Sequence, residues 1–291
     1  MSNAFGVPPV TAGNKASRAQ LLERAALAFR TQRLDEAERL ATEILRASRT
    51  DTAATFILAR ALVAQNRPRE AIAPLEKVAR SATDPEIETL RGAALGRSGR
   101  RAEAIDQLRR TAARRPPFLP AYQELAGQLA ADGREGEAIS AIEEGLALAP
   151  GNIDLQLDLA RLDIQRNDRS KAREILLEAK QAAPGRWDIW VTLARVLLLN
   201  GEYADAADAY RHALALRPDD AMTRADLATC LLEMEDREGG EAALRLALRG
   251  RPHMLGRATA ALVHSSHGRF FFRKSAVASF LQVEASAAAR P

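Results

Sequence analysis

The chain has 291 residues, of which 47% are hydrophobic, 27% charged and only 4% aromatic, and its apolar content is mostly Ala and Leu, which favour helix over strand. No stretch approaches the ~20 uninterrupted apolar residues of a membrane span, because Arg or a carboxylate breaks every run. The net charge of +4 comes from residues 255–291, where Arg257, Arg269, Arg273, Lys274 and Arg290 face Glu284, while the preceding 254 residues balance 37 cations with 37 anions.

Residues 1–17 carry no charge before Lys15 and no apolar run of signal-peptide length, so with Pro8, Pro9 and Gly13 they read as a flexible lead-in without a secretion signal. From residue 18 the chain divides into seven units, 18–51, 52–84, 85–118, 119–152, 153–186, 187–220 and 221–254. In the first two, Ala37 and Ala71 mark the phase and no terminal proline appears. From the third onward Pro116, Pro150, Pro184, Pro218 and Pro252 recur at one constant interval, in phase with Ala104, Ala138, Ala172 and Ala206. Leu125, Leu159, Leu193 and Leu227, each followed by Ala, keep the same period. A fixed period of a few tens of residues marks an array of supersecondary units that bury apolar faces against their neighbours.

Each unit predicts two helices. Trp190, Leu193, Ala194 and Leu197 fall at i, i+3, i+4 and i+7, one buried stripe, and the alanine near the start of the second helix allows a close crossing. Gly99, Gly133, Asn167 and Gly201 suit the left-handed turn that stops the first helix, and the proline ends the second. Two positions break the pattern: Arg91 stands where other units have Leu, and Gly240 where they have Ala. Cys230, the single cysteine, excludes an internal disulfide, fits a reducing compartment, and reads as a small core residue among Leu227, Leu231 and Leu232.

Unit 187–220, with Trp190, Leu193, Ala194, Leu197, Gly201, Tyr203, Ala206, Tyr210, Ala213 and Pro218, resembles the tetratricopeptide repeat at nearly every signature position. The resemblance implies an all-α fold, a superhelical solenoid of antiparallel helix pairs over 18–254. Residues 255–286 read as a degenerate eighth pair that caps the array, its last helix capped by Ser275 and carrying Ala276, Phe280 and Val283, before a flexible tail at 287–291.

The sequence has no phosphate-binding loop, nucleophile elbow, dinucleotide fingerprint or zinc-protease helix. It reads as a non-enzymatic scaffold with no cofactor, catalytic residue or metal. His264 and His267, at i, i+3 near His253, lack further ligands around them and read as capping polar groups. In the resembled family the first helices line a concave groove, and the matching positions put Arg60, Leu157, Arg161, Val191, Arg195, Leu198 and Leu232 on it. Cations beside apolar residues suit a peptide or short helix with acidic and apolar side chains, while pairing of Arg161 and Arg195 with Asp154, Asp158 or Asp188 would leave an ordinary wet surface. The Lys and Asn with which some family members grip a C-terminal carboxylate are missing, since those places read Phe56 and Arg60, Thr89 and Ala93, or Leu157 and Arg161.

Phe270, Phe271, Phe272, Arg273 and Lys274 either seal the end of the array or dock on a partner or an anionic membrane surface, and they leave a homo-oligomer through these phenylalanines open. Nucleic acid is disfavoured because the array is neutral and shows no aromatic ladder. An accessory subunit of a membrane-associated or cell-envelope polysaccharide assembly or transferase system is the alternative to a protein adaptor. The Ala- and Arg-rich composition points to a bacterial chain, and the expected location is cytoplasmic.

Overall fold

A computed structural model describes residues 17–80, 83–269 and 273–282, and every regular element among them is helical. The described residues form two compact units that divide between Ala141 and Ile142. The first holds α1 (Arg18–Arg30), α2 (Leu34–Ala47), α3 (Thr52–Ala64), α4 (Pro68–Ala79), α5 (Pro85–Arg97), α6 (Arg101–Ala112), α7 (Leu119–Ala131) and the start of α8 (Glu135–Leu148). The second continues through α9 (Ile153–Gln165), α10 (Arg169–Ala182), α11 (Trp187–Leu199), α12 (Tyr203–Leu216), α13 (Ala221–Glu233) and α14 (Arg237–Leu248). A 3-10 turn (Pro252–Met254), α15 (Leu255–His264) and α16 (Lys274–Phe280) follow. None of the described helices is long and apolar enough to cross a membrane.

Within each unit consecutive helices pack together, and first helices also meet first helices, α1 with α3, α3 with α5, α5 with α7, and α9 with α11. The repeated alanines sit at the crossings: Ala37, Ala71, Ala104, Ala172 and Ala206 have no exposed surface. Gly99, Gly133, Asn167 and Gly201 take positive φ as their residue types suggest, and Gln32, Asn66 and Glu235 take it at the same turn in other units. Asn66 suits it as Asn167 does, but Gln32 and Glu235 have neither glycine's freedom nor asparagine's tolerance, and the repeat geometry imposes the conformation on them.

Four of the first helices, α3, α5, α9 and α13, begin on a carboxylate or amide cap. Asp51 accepts from Ala54 N at 3.0 Å, Asn152 from Leu155 N at 2.9 Å and Asp220 from Met222 N at 3.1 Å. The second helices of the first unit start differently. Arg33, Arg67 and Arg100 occupy the cap without a side-chain cap bond, and Arg134 directly precedes α8. Each of the four binds the glutamate three positions on, Glu36, Glu70, Glu103 and Glu137, at 2.6–2.7 Å. These glutamates lie in the first turn, where the helix dipole favours a negative charge, and their arginines hold the Glu70, Glu103 and Glu137 carboxyls below the usual range. In the second unit the same place holds Asp168, Glu202 and Asp236.

The two broken positions have physical compensation. Arg91 reaches Gln107 at 2.9 Å and Glu76 at 3.2 Å, joining a polar network in which Thr111 donates to Glu88 at 3.2 Å and Arg114 holds Glu88 at 2.6 Å. Gly92 follows Arg91 in place of the usual alanine, and Leu108 fills the space, its Cγ lying 2.5 Å from where a Cβ would be. At Gly240 an added Cβ would come within 2.7 Å of Leu232 Cγ and 3.2 Å of the Ala228 carbonyl oxygen, so the missing methyl makes room for Leu232.

A third departure was not expected. Asp163, 5% exposed, stands in the column otherwise filled by Leu95, Leu129, Leu197 and Leu231, all buried. Burial raises its carboxyl above the ordinary value, and Asp168 adds to the shift. A raised carboxyl costs stability at neutral pH, and that cost fades as pH falls from the raised pKa toward the unfolded value near 3.8. Asp163→Leu is therefore expected to stabilise the protein by ~1–2 kcal/mol at pH 7. Thermal melts of both proteins should show their separation narrowing as the pH is lowered toward 4; a constant gap would mean that Asp163 does not titrate under strain.

The chain after the 3-10 turn folds back on the last pair. The Gly268 backbone passes so close that Arg269 N donates to Leu262 O at 2.8 Å. Arg269 then meets the 6%-exposed Glu241 at 2.5 Å, and Arg245 and Arg269 each place a guanidinium 5.1 Å from the Phe280 ring. Ser275, expected as the last helix cap, lies inside α16, whose cap is Arg273 with no side-chain cap bond.

Candidate functional site

The repeat phase puts Arg161 on α9 and Arg195 at the equivalent position of α11, and both are exposed. They border a depression of about 290 Å³ with Ile164, Gln165, Trp187, Asp188, Val191 and Thr192. Arg161 donates to Asp158 at 3.0 Å, one of the carboxylates expected to neutralise it. Arg195 has no hydrogen bond or ion pair among the described residues, because the other two carboxylates are taken: Arg186 binds Asp154 at 2.6 Å and also Asp188. Burial works to raise the Asp188 carboxyl, and the hydrogen bonds and charge of Arg186 outweigh it and hold it below the usual range. Arg217 covers the Trp187 ring at 4.3 Å, fixing one wall of the depression.

Val191 and Leu198 are half-buried beside Arg195, and Leu199 remains 39% exposed. Two residues expected on this surface belong to the interior instead. Leu157 is 1% exposed and Leu232 is fully buried, both in the core cluster of the second unit. For Leu232 the cause is Gly240, whose bare Cα draws the side chain inward, whereas its equivalents Ile164 and Leu198 face alanines and stay half-exposed. Leu157 is taken up in the packing that α9 makes with α10 and α11, in one cluster with Leu176 and Ile189. Position in a motif gives the average direction of a side chain, and the local neighbours decide the actual one.

In the first unit Arg60 is exposed on α3, its guanidinium 4.6 Å from the Phe29 ring and 5.3 Å from the Phe56 ring. Stacking between aromatic faces leaves the N–H edge of a guanidinium available to an acceptor. Beside it an open depression is walled by Phe56 and Phe118 over the small Thr89 and Ala93. The Phe56–Arg60 pairing is an i, i+4 contact legible in the sequence; the Phe29 contact comes from another helix and is not.

Phe270, Phe271 and Phe272 lie outside the described residues, as does the Lys274 side chain, while Arg273 is exposed. His264 ends α15, and His267 places Nε2 3.5 Å from Glu235. No group of three or more His, Cys, Asp or Glu suited to a metal occurs among the described residues. Cys230 is buried, which pushes its thiol up to about 12. Burial likewise raises the Asp226 carboxyl, although Arg257 binds it directly and Arg195 contributes from α11.

Family models of the tetratricopeptide repeat match residues 28–94, 129–188 and 187–220. No curated protein matches the chain. Among solved structures it is similar to a tetratricopeptide repeat protein from Parabacteroides merdae, at 14% identity and a TM-score of 0.62 over 84% of this chain and 98% of that one. It is also similar to a chain of the APC/C hetero-tetramer Cut9-Hcn1, at 18% identity and a TM-score of 0.58 over 92% of this chain and 56% of that one. MamA follows at 16% identity and a TM-score of 0.50, over 57% of this chain and 96% of that one. The likenesses fix the fold, and with the matched repeats they show that the chain belongs to the tetratricopeptide repeat family of protein-binding scaffolds.

Proposed function

We propose that the protein is an adaptor whose α9–α11 surface holds a segment of another protein carrying acidic and apolar side chains. The observation that carries this reading is Arg195, exposed and without an ion-pair partner among the described residues, beside half-buried Val191 and Leu198. A cation with no ion pair next to apolar surface supports a charge-assisted contact flanked by a desolvated one. Arg161 adds a second cation one unit earlier, and its pairing with Asp158 at 50% side-chain exposure is the weak kind that a better acceptor displaces. Arg60 with Phe29 and Phe56 provides a second contact on the first unit.

The test compares proteins captured from native lysate by the wild-type chain and by the Arg161→Glu, Arg195→Glu variant, with each partner then titrated directly. Reversing both charges is expected to weaken the partner by at least about a hundredfold, the ~1.5–3 kcal/mol of each lost charged hydrogen bond compounding with repulsion. Unchanged capture and affinity would remove the α9–α11 surface from consideration. Retention of nucleic acid by the wild type, lost with salt, would point to the other class of ligand.

A further inference from the structure

The neutrality of residues 1–254 conceals a division. Residues 1–141 hold 22 Lys and Arg against 17 Asp and Glu, and residues 142–254 hold 15 against 20. One half of the array is thus +5 and the other −5.

Each excess has a repeated exposed element. Arg46 in the last turn of α2 and Arg80 at the end of α4 are one repeat period apart. Glu144 in α8 and Glu178 in α10 are separated by the same interval, each about one turn before its helix ends. All four are exposed, and none has a side-chain partner among the described residues. The next basic rung, Arg114, is held by Glu88, but exposed Arg110 and Arg115 flank it, and exposed Lys77 and Arg49 reinforce the other two.

Both pairs are carried by second helices of the same repeat, so the displacement from one rung to the next is set by the same unit-to-unit geometry. Two such edges match in pitch without adjustment, which a polyanion of unrelated spacing does not. We propose that the Arg46–Arg80 edge of one chain docks on the Glu144–Glu178 edge of a second copy. The contact is heterologous: the pair keeps one edge of each sign free, the acidic edge of one chain and the basic edge of the other, and association continues head to tail. Opposite net charges on the halves orient the encounter before the rungs meet. The contact leaves Arg60, Arg161 and Arg195 unused.

Sedimentation equilibrium of the full chain in low salt should show concentration-dependent association that is lost in high salt, where exposed charges are screened. Arg46→Glu with Arg80→Glu should weaken association at least about tenfold, and Glu144→Arg with Glu178→Arg should do the same. The decisive sample is the mixture in which the Glu144→Arg, Glu178→Arg chain offers cations to a wild-type acidic edge and the Arg46→Glu, Arg80→Glu chain offers anions to a wild-type basic one. Alone, each variant carries two edges of one sign, but together they are complementary at both, native cations with native anions and reversed cations with reversed anions, so mixing should restore the association that each has lost. Milder Gln substitutions at all four positions, with thermal melts, separate loss of contact from loss of fold. A wild type that stays monomeric in low salt, a charge-reversed variant that associates like wild type, or a mixture that remains monomeric would overturn the proposal.

Discussion

Gly268→Ala is expected to release the last two helices from the array. A Cβ at this position would lie 1.8 Å from the Leu262 carbonyl oxygen and 2.7 Å from its carbon, and a clash with backbone has no rotamer to relieve it. The stretch of chain that carries Arg269 to Leu262 O and to Glu241 must then move. Glu241, with its side chain 8% exposed, would lose its shorter ion pair, and Phe280 one of its two cationic faces. Together the lost packing and a buried carboxylate left with only Arg245 at 3.4 Å amount to ~3 kcal/mol. Hydrogen exchange should show amides of α15 and α16 losing protection by at least about a hundredfold while those of α9 and α10 keep theirs. Uniform protection across the variant would mean that the turn at Gly268 can be rebuilt elsewhere.

Glu88→Ala is the second substitution with a large expected effect. The Glu88 side chain is 6% exposed and receives Arg114 and Thr111, and through Thr111 and Gln107 it is linked to Arg91. Removing the carboxylate leaves Arg114 without its acceptor, turns the fully buried Thr111 hydroxyl to the Gln107 carbonyl at 3.0 Å alone, and opens a void between α5 and α6, a loss of ~3 kcal/mol. Urea denaturation should show a lower midpoint at unchanged slope if the whole transition shifts. Glu88→Gln keeps the shape and one acceptor and should recover about half of the loss. A midpoint within experimental error of wild type would show that the network is replaceable by water.

These two sites mark what the sequence does and does not reveal. The period, the small residues at crossings and the left-handed turns at Gly99 and Asn167 are local regularities, and each unit repeats the statement, so the helices could be placed before any coordinates. Exceptions such as Arg91 and Gly240 are visible as exceptions, whereas Asp163 was not expected, and their resolution depends on side chains from other helices: Gln107 and Glu76 for Arg91, Leu232 for Gly240. The surface of α9 and α11 was legible as a position, and Arg195 stands on it. Whether Leu157 and Leu232 also stand there was not, because both are drawn inward by contacts that differ from unit to unit.

The second helices of the first unit open on arginine bound to glutamate, and those of the second unit on a carboxylate. The exchange falls at α8, the helix in which the two compact units divide. Units are therefore interchangeable parts only within a half. Excising one repeat module between equivalent points on the same side of α8 should leave a shorter, well-closed array, whereas grafting a module across α8 would join an arginine-led helix to neighbours built for an acid-led one. The chain has two grammars for the same structural sentence, and shortening or lengthening it in the laboratory has to respect which one is in force.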